Sequence, residues 1–322
     1  MASTHSDIIK KVPGAYESAL KSGDLFYFPS TIEKHNELDI DFEITLCPAL
    51  QKKPTLPSPR FEVETTASEA AADDTKIDPF APPYNPQLHV GDLKDELTEE
   101  EFVILLNKFS VVPHHFLLVP KGSKISLSAL IGIDASWAGG ENSGASQPHK
   151  HIQFLPTESP LSPPIETLAR KAQLEQPTRP FSLTSLPYAS SSFRFPSYLD
   201  TFSVEDLEKV LSDVFLQLLD LCISTVRHDP DYPPGRPSYN VIITLEHMHL
   251  VPRKFETHLL EKTGERLPVN ALGFAGMLLV KSEQELDAVR YETVAKILRG
   301  VGLESVHEDQ VEGTAKELTS AL

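Results

Sequence analysis

The sequence predicts an α+β fold, and three observations carry that class. Two β-branched and aromatic runs, Glu101 to Val112 and His115 to Val119, flank a proline-containing turn and read as a hairpin. Two further strand-like runs, Tyr239 to Thr244 and His249 to Pro252, lie far downstream. Before them Ser203 opens a long helix with Leu207, Val210, Leu211, Val214, Phe215, Leu218 and Cys222 on one apolar stripe. The expected architecture is a mixed, mostly antiparallel sheet gathering the strands near Asn107, His151 and Tyr239, with helices packed on one side.

In chain order, residues 4–21 read as a short helix interrupted near Pro13 and ending at Gly23. Phe26 to Phe28 and the alternating Leu38 to Leu46 read as strands, followed by a loop through Lys52, Lys53 and Pro54. Residues 55–90 are rich in Pro, Ser, Thr, Ala and acids without periodicity, which reads as a mobile excursion. In the hairpin that follows, Asn107 and Lys108 sit in the first strand and His114 and His115 in the turn. Residues 155–200 are again Pro- and Ser-rich, a linker with one helix near Ile165 to Gln173.

The helix from Ser203 has a capping-box-like start with Asp206 and stops before Asp229-Pro230. Its stripe makes Cys222 a buried small hydrophobe rather than a reactive thiol. Asn270 to Gly273 form a loop, Gly276 to Lys281 a strand, and Ser282 with Glu285 cap a helix running through Leu298 to a stop at Gly300 and Gly302. Residues 307–322 read as an acidic tail.

The stretch with the densest chemistry is Gly139 to Leu155. Gly139, Gly140 and Gly144, with the small residues Ser143, Ala145 and Ser146, suit a turn whose N–H groups approach an anion closely. The turn enters His149-Lys150-His151-Ile152-Gln153-Phe154, where alternation puts His149, His151 and Gln153 on one face and Lys150 on the other. A histidine beside an amide and a phosphate-sized nest suits a nucleophile with an oxyanion partner. The same shape also suits an ordinary turn, surface histidines or a zinc-ligand pair. A second His-x-His, His247 and His249, has no comparable Gly/Ser turn before it and no glutamine two residues after it, so it reads as structural. Arg253 suits either a phosphate clamp or the cap of a strand end.

At 322 residues, 40% hydrophobic and with 27 prolines, the chain could hold two average domains or one large one. It has no run of about 18 apolar residues and no charged-then-apolar start, so neither a membrane span nor a signal peptide is expected. Cys47 and Cys222, without a CxxC, give no disulfide framework and fit a reducing compartment, cytoplasmic or nuclear. A formal charge of −17 argues against nucleic-acid and anionic-membrane partners and repels polyphosphates at long range. A nucleotide enzyme on this chain needs a local positive site and a divalent cation, magnesium, bridging the phosphates.

Ordered stretches over most of the chain resemble the fungal diadenosine tetraphosphate phosphorylase (ATP adenylyltransferase) family, in the nucleotidyltransferase branch of the histidine-triad superfamily. They are Leu105 to Phe109, Val111 to Pro113, Phe116 to Val119, Ser143 to Gln153, Ser238 to Asn240, Leu250 to Arg253 and Gly276 to Lys281. The resemblance implies a histidine-triad-like sheet, with an N-terminal phosphorylase segment over 1–180 and a C-terminal adenylyltransferase segment over 200–306 forming one composite domain. It implies His151 as the nucleophile, helped by Gln153 and His149. Substrate contacts fall on Lys53 (or Lys52), Asn107, Lys108, Gly144, Ala145, Ser146, Gln147, Asn270, Ala271, Leu272, Met277 and Lys281, with no resident metal ligand. The implied partners are dinucleoside polyphosphates, ADP, ATP and inorganic phosphate.

One departure stands out: relatives carry an asparagine thirteen residues before the nucleophile, where this chain has Ala138. Either Asn142 substitutes for it or affinity is altered. Two rivals follow from these features: a metal-dependent nucleotide hydrolase using His149, His151, His247 and His249, and a nucleotide sensor weakened by Ala138.

Overall fold

The computed structural model describes residues 5–52, 78–95, 99–121, 135–139, 142–144, 151–156 and 162–305. Of the mobile excursion expected over 55–90, residues 55–77 lie outside the described residues, as does the acidic tail, whereas 78–90 are ordered, with Phe80 and Tyr84 packed on the sheet and a strand starting at His89. The chain opens with α1 (His5–Ile9) and α2 (Val12–Ser22). Pro13 occupies the first turn of α2, where its missing N–H costs nothing, and Gly23 at φ +79° ends it. β1 (Phe26–Tyr27) precedes a hairpin of β2 (Thr31–Glu37) and β3 (Ile40–Leu46), turned by Leu38 and Asp39, both at positive φ.

β4 (His89–Lys94), β5 (Glu101–Leu106), β6 (Phe109–Ser110), β7 (Phe116–Pro120), β8 (Ala135–Gly139) and β9 (Ile152–Phe154) follow. After them come α3 (Pro164–Lys171), β10 (Ser191–Arg194), the long α4 (Val204–His228), β11 (Ser238–Ile243) and β12 (His247–Arg253). The chain then forms β13 (Thr257–Leu259), β14 (Arg266–Pro268), α5 (Ala271–Phe274), β15 (Met277–Val280), α6 (Glu283–Glu292) and α7 (Val294–Val301).

The fold is α+β as expected, centred on an eight-stranded sheet in the order β10-β12-β11-β8-β9-β7-β5-β4. Every neighbouring pair in it is antiparallel. On one face Phe102, Ile104, Phe116, Leu118, Ile152, Phe154, Val241, Ile243, Met248 and Leu250 pack under α1, α2 and α4. The α4 stripe is buried as its period requires, and burial pushes the Cys222 thiol up to about 12.

The opposite face is covered by two separate patches. Over β11 and β12 lies a second layer holding β3 and β15, which run parallel, with α3, α5, α6 and α7. Over β5 and β7, Phe80 and Tyr84 pack on Val103, Leu105, Leu117 and Val119. β9 lies in the sheet between these patches, and there the sheet carries polar side chains.

β4, β13 and β14 have no counterpart in the sequence reading, and four further elements depart from it. β2 is polar and exposed on its outer positions, so it carries no strand-like apolar run. β10 emerges from the stretch read as a linker. The helix expected through Leu298 is two helices, broken where Thr293 takes φ +77°. The first hairpin strand ends at Leu106, so Asn107 and Lys108 lie in a break rather than in a strand. Asn107 makes that break itself, because its Oδ1 accepts the Phe109 N–H at 3.1 Å, an Asx-type turn that competes with the ladder.

Candidate active site

Alternation along β9 sends Ile152 and Phe154 into the helix-side core and leaves His151 and Gln153 half-buried on the opposite face. His151 stands just before the strand, and the Gln153 Nε2 lies 3.4 Å from its Nε2. The Phe80 ring covers the imidazole at 4.9 Å between centroids, tilted by 47°.

Gln153 is held from the other side by His115. Leu117 of β7 pairs with Gln153, so His115, two residues earlier, is the diagonal neighbour on the same face. His115 is buried and hydrogen-bonds Gln153, while its Nδ1 lies 3.1 Å from the Asn107 Nδ2. Directions along this chain follow from its first link. The backbone N–H of Phe109 can only donate, so it fixes Asn107 Oδ1 on itself and turns the Asn107 amide N–H₂ toward His115. The imidazole then accepts at Nδ1 and donates from Nε2 to the Gln153 oxygen, which turns the Gln153 N–H₂ onto His151 Nε2. Burial, aided by the nearby His151, pushes His115 down to about 4 against the opposing Gln153 hydrogen bond, so the ring stays neutral. The lone pair of His151 Nε2 is thereby kept available.

The glycine turn is fixed by a different device. The Asn142 N–H donates to Ser238 Oγ at 3.0 Å, and the Ser143 carbonyl accepts from Asn240 Nδ2 at 2.9 Å and from Arg253 Nη1 at 3.0 Å. Arg253 is wholly buried. It also donates to Asn240 Oδ1 at 2.9 Å and to the Phe255 carbonyl at 2.8 Å, and its guanidinium carbon stands 5.1 Å over the Phe274 ring. Of the two readings of Arg253, neither describes it: the guanidinium grips the loop from inside. Gly144 takes φ +73°, and a Cβ there would meet the Val269 carbonyl at 2.5 Å and Arg253 Nη1 at 2.9 Å. Only glycine fits.

This contact brings Gly144 against Asn270, whose Oδ1 caps α5 by accepting the Leu272 and Gly273 N–H groups at 3.0 and 3.3 Å. Ala271 is buried in the second layer, while Leu272 and Met277 are half-buried. Lys281 is half-buried, its backbone N–H held by Glu285. Because β3 and β15 are parallel and Val280 is level with Leu46, Lys281 leaves the sheet at the same end as the turn that reaches Lys52. Lys108 is half-buried beside Asp24, whose carboxyl it helps hold below the usual range after the hydrogen bonds from Asn85 and Ser22. Lys53, Ala145, Ser146, Gln147, His149 and Lys150 lie outside the described residues. So does the side chain of Ala138, although its backbone pairs with Asn240 in β11.

The second His-x-His forms a cluster of its own. His247 and His249 are fully buried on β12. His247 Nδ1 lies 2.9 Å from Glu166 Oε1, and His249 Nε2 lies 3.4 Å from Glu166 Oε2. Burial raises the Glu166 carboxyl, but the hydrogen bonds from the two histidines outweigh it and hold the group well below the usual carboxylate range. His249 is level with Ile242, Ser136 and, across β8, Gln153. Three inter-strand steps put about 14 Å between the two motifs. Among the described residues His151 is not grouped with His247 and His249, as the four-histidine hydrolase reading requires.

Sequence reasoning placed His115 in the turn and missed its role, although its phase with Leu117 was the available signal. Phe80 sits in a stretch without periodicity and gave none.

Comparison with known proteins adds two family matches. Residues 2–171 match the Ap4A phosphorylase N-terminal domain and residues 184–304 the ATP adenylyltransferase C-terminal domain. Diadenosine 5',5'''-P1,P4-tetraphosphate phosphorylase 2 of Saccharomyces cerevisiae is 26% identical over 307 residues, spanning 86% of this chain and 88% of that protein. Protein APA1 of the same yeast is 23% identical, spanning 87% and 88%. The crystal structure of yeast Ap4A phosphorylase Apa2 superposes with a TM-score of 0.70 at 22% identity, covering 93% of this chain and 98% of that one. The structure of Apa2 in complex with Ap4A gives 0.68 at the same identity, covering 92% and 98%.

Proposed function

The chain belongs to the Ap4A phosphorylase family, and from that membership we propose that it cleaves diadenosine tetraphosphate by phosphorolysis, giving ADP and ATP. The observation that carries the reading is the His151–Gln153 pair, set in one orientation by Asn107 and His115.

His151 Nε2 attacks the α-phosphorus of one AMP half. The bridging P–O bond breaks, ATP leaves, and AMP remains on the imidazole nitrogen as a phosphoramidate. An oxygen of inorganic phosphate then attacks the same phosphorus, the N–P bond breaks, and ADP departs with the imidazole restored. Neutral imidazole is nucleophilic near pH 7, and the phosphoramidate is labile enough to pass its group on. The reverse sequence, adenylyl transfer from ADP to ATP, uses the same groups. Sulfate offers the same kind of acceptor oxygen in place of phosphate.

Gln153 supports the step by shifting its N–H from His151 Nε2 to a non-bridging oxygen of the α-phosphate, where charge accumulates. The glycine turn at Gly144 offers backbone N–H groups to the phosphates, fixed by Arg253 beforehand. Lys281, at the end of the sheet that the turn to Lys52 also reaches, serves the remaining phosphates or ribose. We assign no ligand for the divalent cation to the chain. The site residues described are imidazoles, amides and a glycine turn, so magnesium would be held by the substrate's own phosphate oxygens, where it offsets repulsion from the net charge of −17. Two free, buried cysteines, Cys47 and Cys222, support a reducing compartment, cytoplasm or nucleus.

The test incubates the full chain with diadenosine tetraphosphate and magnesium, with and without inorganic phosphate, and separates the nucleotides by chromatography. ADP plus ATP formed only with phosphate, and lost in His151→Asn, is the expected result. AMP plus ATP formed without phosphate would overturn it in favour of hydrolysis. Binding without turnover would mean a sensor.

A further inference from the structure

Arg253 is wholly buried, yet among the described residues each acceptor it holds is neutral. We propose that Arg253 is a positioning residue whose counter-ion is the phosphate chain of the substrate, so that it grades nucleotides by how many phosphates they carry. The inference rests on phosphates binding at the glycine turn.

The charge is held without being cancelled. Nη1 donates to the Ser143 carbonyl at 3.0 Å and to Asn240 Oδ1 at 2.9 Å. Nη2 donates to the Phe255 and Glu256 carbonyls at 2.8 and 3.3 Å. Nε is buried with no hydrogen-bond partner among the described residues. The Phe274 ring faces the guanidinium carbon at 5.1 Å. Carbonyl dipoles and a ring face make the cation tolerable, but none of them carries a full negative charge. Burial pushes the group down to about 10, opposed by Glu256, whose side chain is exposed; the guanidinium stays charged at neutral pH. A buried cation of this kind costs stability until an anion pairs with it.

One peptide delivers the charge outward. The Ser143 carbonyl accepts from Arg253 Nη1 and from Asn240 Nδ2 at 2.9 Å, which fixes the plane of the Ser143–Gly144 peptide. In a trans peptide the N–H points opposite to the C=O, so the Gly144 N–H faces away from the guanidinium. Donors on the carbonyl polarise the peptide and strengthen that N–H in turn. Gly144 lies so close that a Cβ would stand 2.9 Å from Nη1, so no side chain separates the charge from the turn. An oxygen bound by the Gly144 N–H stands roughly 8 Å from Nη1, across two hydrogen bonds and one peptide. At an effective dielectric of about 20, a unit charge at that distance changes an equilibrium constant about 30-fold. On a chain of net charge −17, this is the local positive site that a polyphosphate needs. Ser143 and Gly144 belong to the first family segment, Arg253 and Asn240 to the second, so neither segment holds the site alone.

The test measures equilibrium binding of AMP, ADP and ATP by calorimetry at constant free magnesium. It uses the full chain carrying His151→Asn, so that nothing turns over. With Arg253 present, affinity should rise from AMP to ATP. Arg253→Gln should weaken ATP about 30-fold and AMP only about 3–10-fold, because AMP brings less charge to the turn. Arg253→Lys keeps the charge and loses the fork, so all three should bind several-fold more weakly while the rise persists. Asn240→Asp keeps Arg253 and sets a carboxylate against Nη1, so it should flatten the rise as Arg253→Gln does. It carries the test if Arg253→Gln does not fold. An equal loss for all three nucleotides, or no loss in the folded variants, would overturn the proposal and leave Arg253 as a structural clamp. Failure of the phosphorolysis reading is seen separately, as missing phosphate-dependent ADP in the chain with His151 intact.

Discussion

β9 and β12 run in the same sheet, three strands apart, with His151 and Gln153 on one and His247 and His249 on the other at the same level and on the same face. Spacing makes these two pairs alike; what covers them makes them different. Over β12 lies α3, whose Glu166 closes on both imidazoles and takes them out of solvent. β9 falls between the two covering patches, so His151 is left half-buried under the edge of Phe80, with an amide rather than a carboxylate beside it. A carboxylate would hold the imidazole's proton; an amide N–H leaves its lone pair in place. A period-two motif fixes which side chains share a face, while the layer above decides between reactivity and structure.

The sharpest way to break this comparison is to remove one group from each strand's site. His151→Asn should lower phosphorolysis on the order of 10³-fold or more, as loss of a nucleophile does, with the urea midpoint almost unmoved because the side chain is half-buried. Glu166→Ala should do the converse. It removes the anion of a buried cluster and should cost about 3–5 kcal/mol in urea unfolding, with the turnover of the remaining folded enzyme changed only a few-fold. An exchange of these two outcomes would mean that the reactive and structural roles have been assigned to the wrong strands.

His115 sharpens the reactive side. Its imidazole is held down to about 4 in the fold, chiefly by burial, whereas in the unfolded chain it titrates near 6.5. Between those values the unfolded chain binds a proton that the folded chain refuses. The stability this neutral ring contributes is therefore complete above pH 6.5 and is lost as pH falls toward 4, by about 3 kcal/mol in all. His115→Phe should flatten that part of the pH dependence of the urea midpoint. It should also lower kcat about 10–100-fold with little change in KM, because Gln153 loses the acceptor–donor partner that orients it. A fall in KM alone, or an unchanged slope, would count against the relay.

How much of this was legible follows from where each signal resides. The helix from Ser203, the strands at 238–243 and 277–280 and the His151–Gln153 face are local periodicities, and the sequence carries them openly. His115 was readable only in phase with Leu117, and the doublet His114-His115 beside Pro113 reads first as a turn; His114 is indeed in one, at φ +60°. Arg253 and Glu166 could not be placed, since their partners, Ser143 and Asn240 for one and His247 and His249 for the other, are 13 to 110 residues away. β10 hid in a Pro- and Ser-rich stretch because its polar residues, Ser192 and Arg194, point at the buried cluster rather than at water. Polar residues turned inward defeat a reading based on apolar alternation.

The smallest expected effect supplies the baseline for the others. Ser203 caps α4, its Oγ accepting the Asp206 N–H at 3.1 Å and its hydroxyl donating to Asp206 Oδ2 at 2.6 Å, all at an exposed helix end. Ser203→Ala should cost about 1 kcal/mol in urea unfolding. α4 supplies Leu211, Phe215 and Leu218 to the core that also holds Ile152 of β9 and Met248 of β12. A loss at its cap therefore weakens the support of both strands together, and kcat of the folded chain should not move. If Ser203→Ala lowered kcat of the folded chain, the strands would not share a common foundation, and the contrast between them would have to be sought in the helix side of the sheet instead of in the layer above.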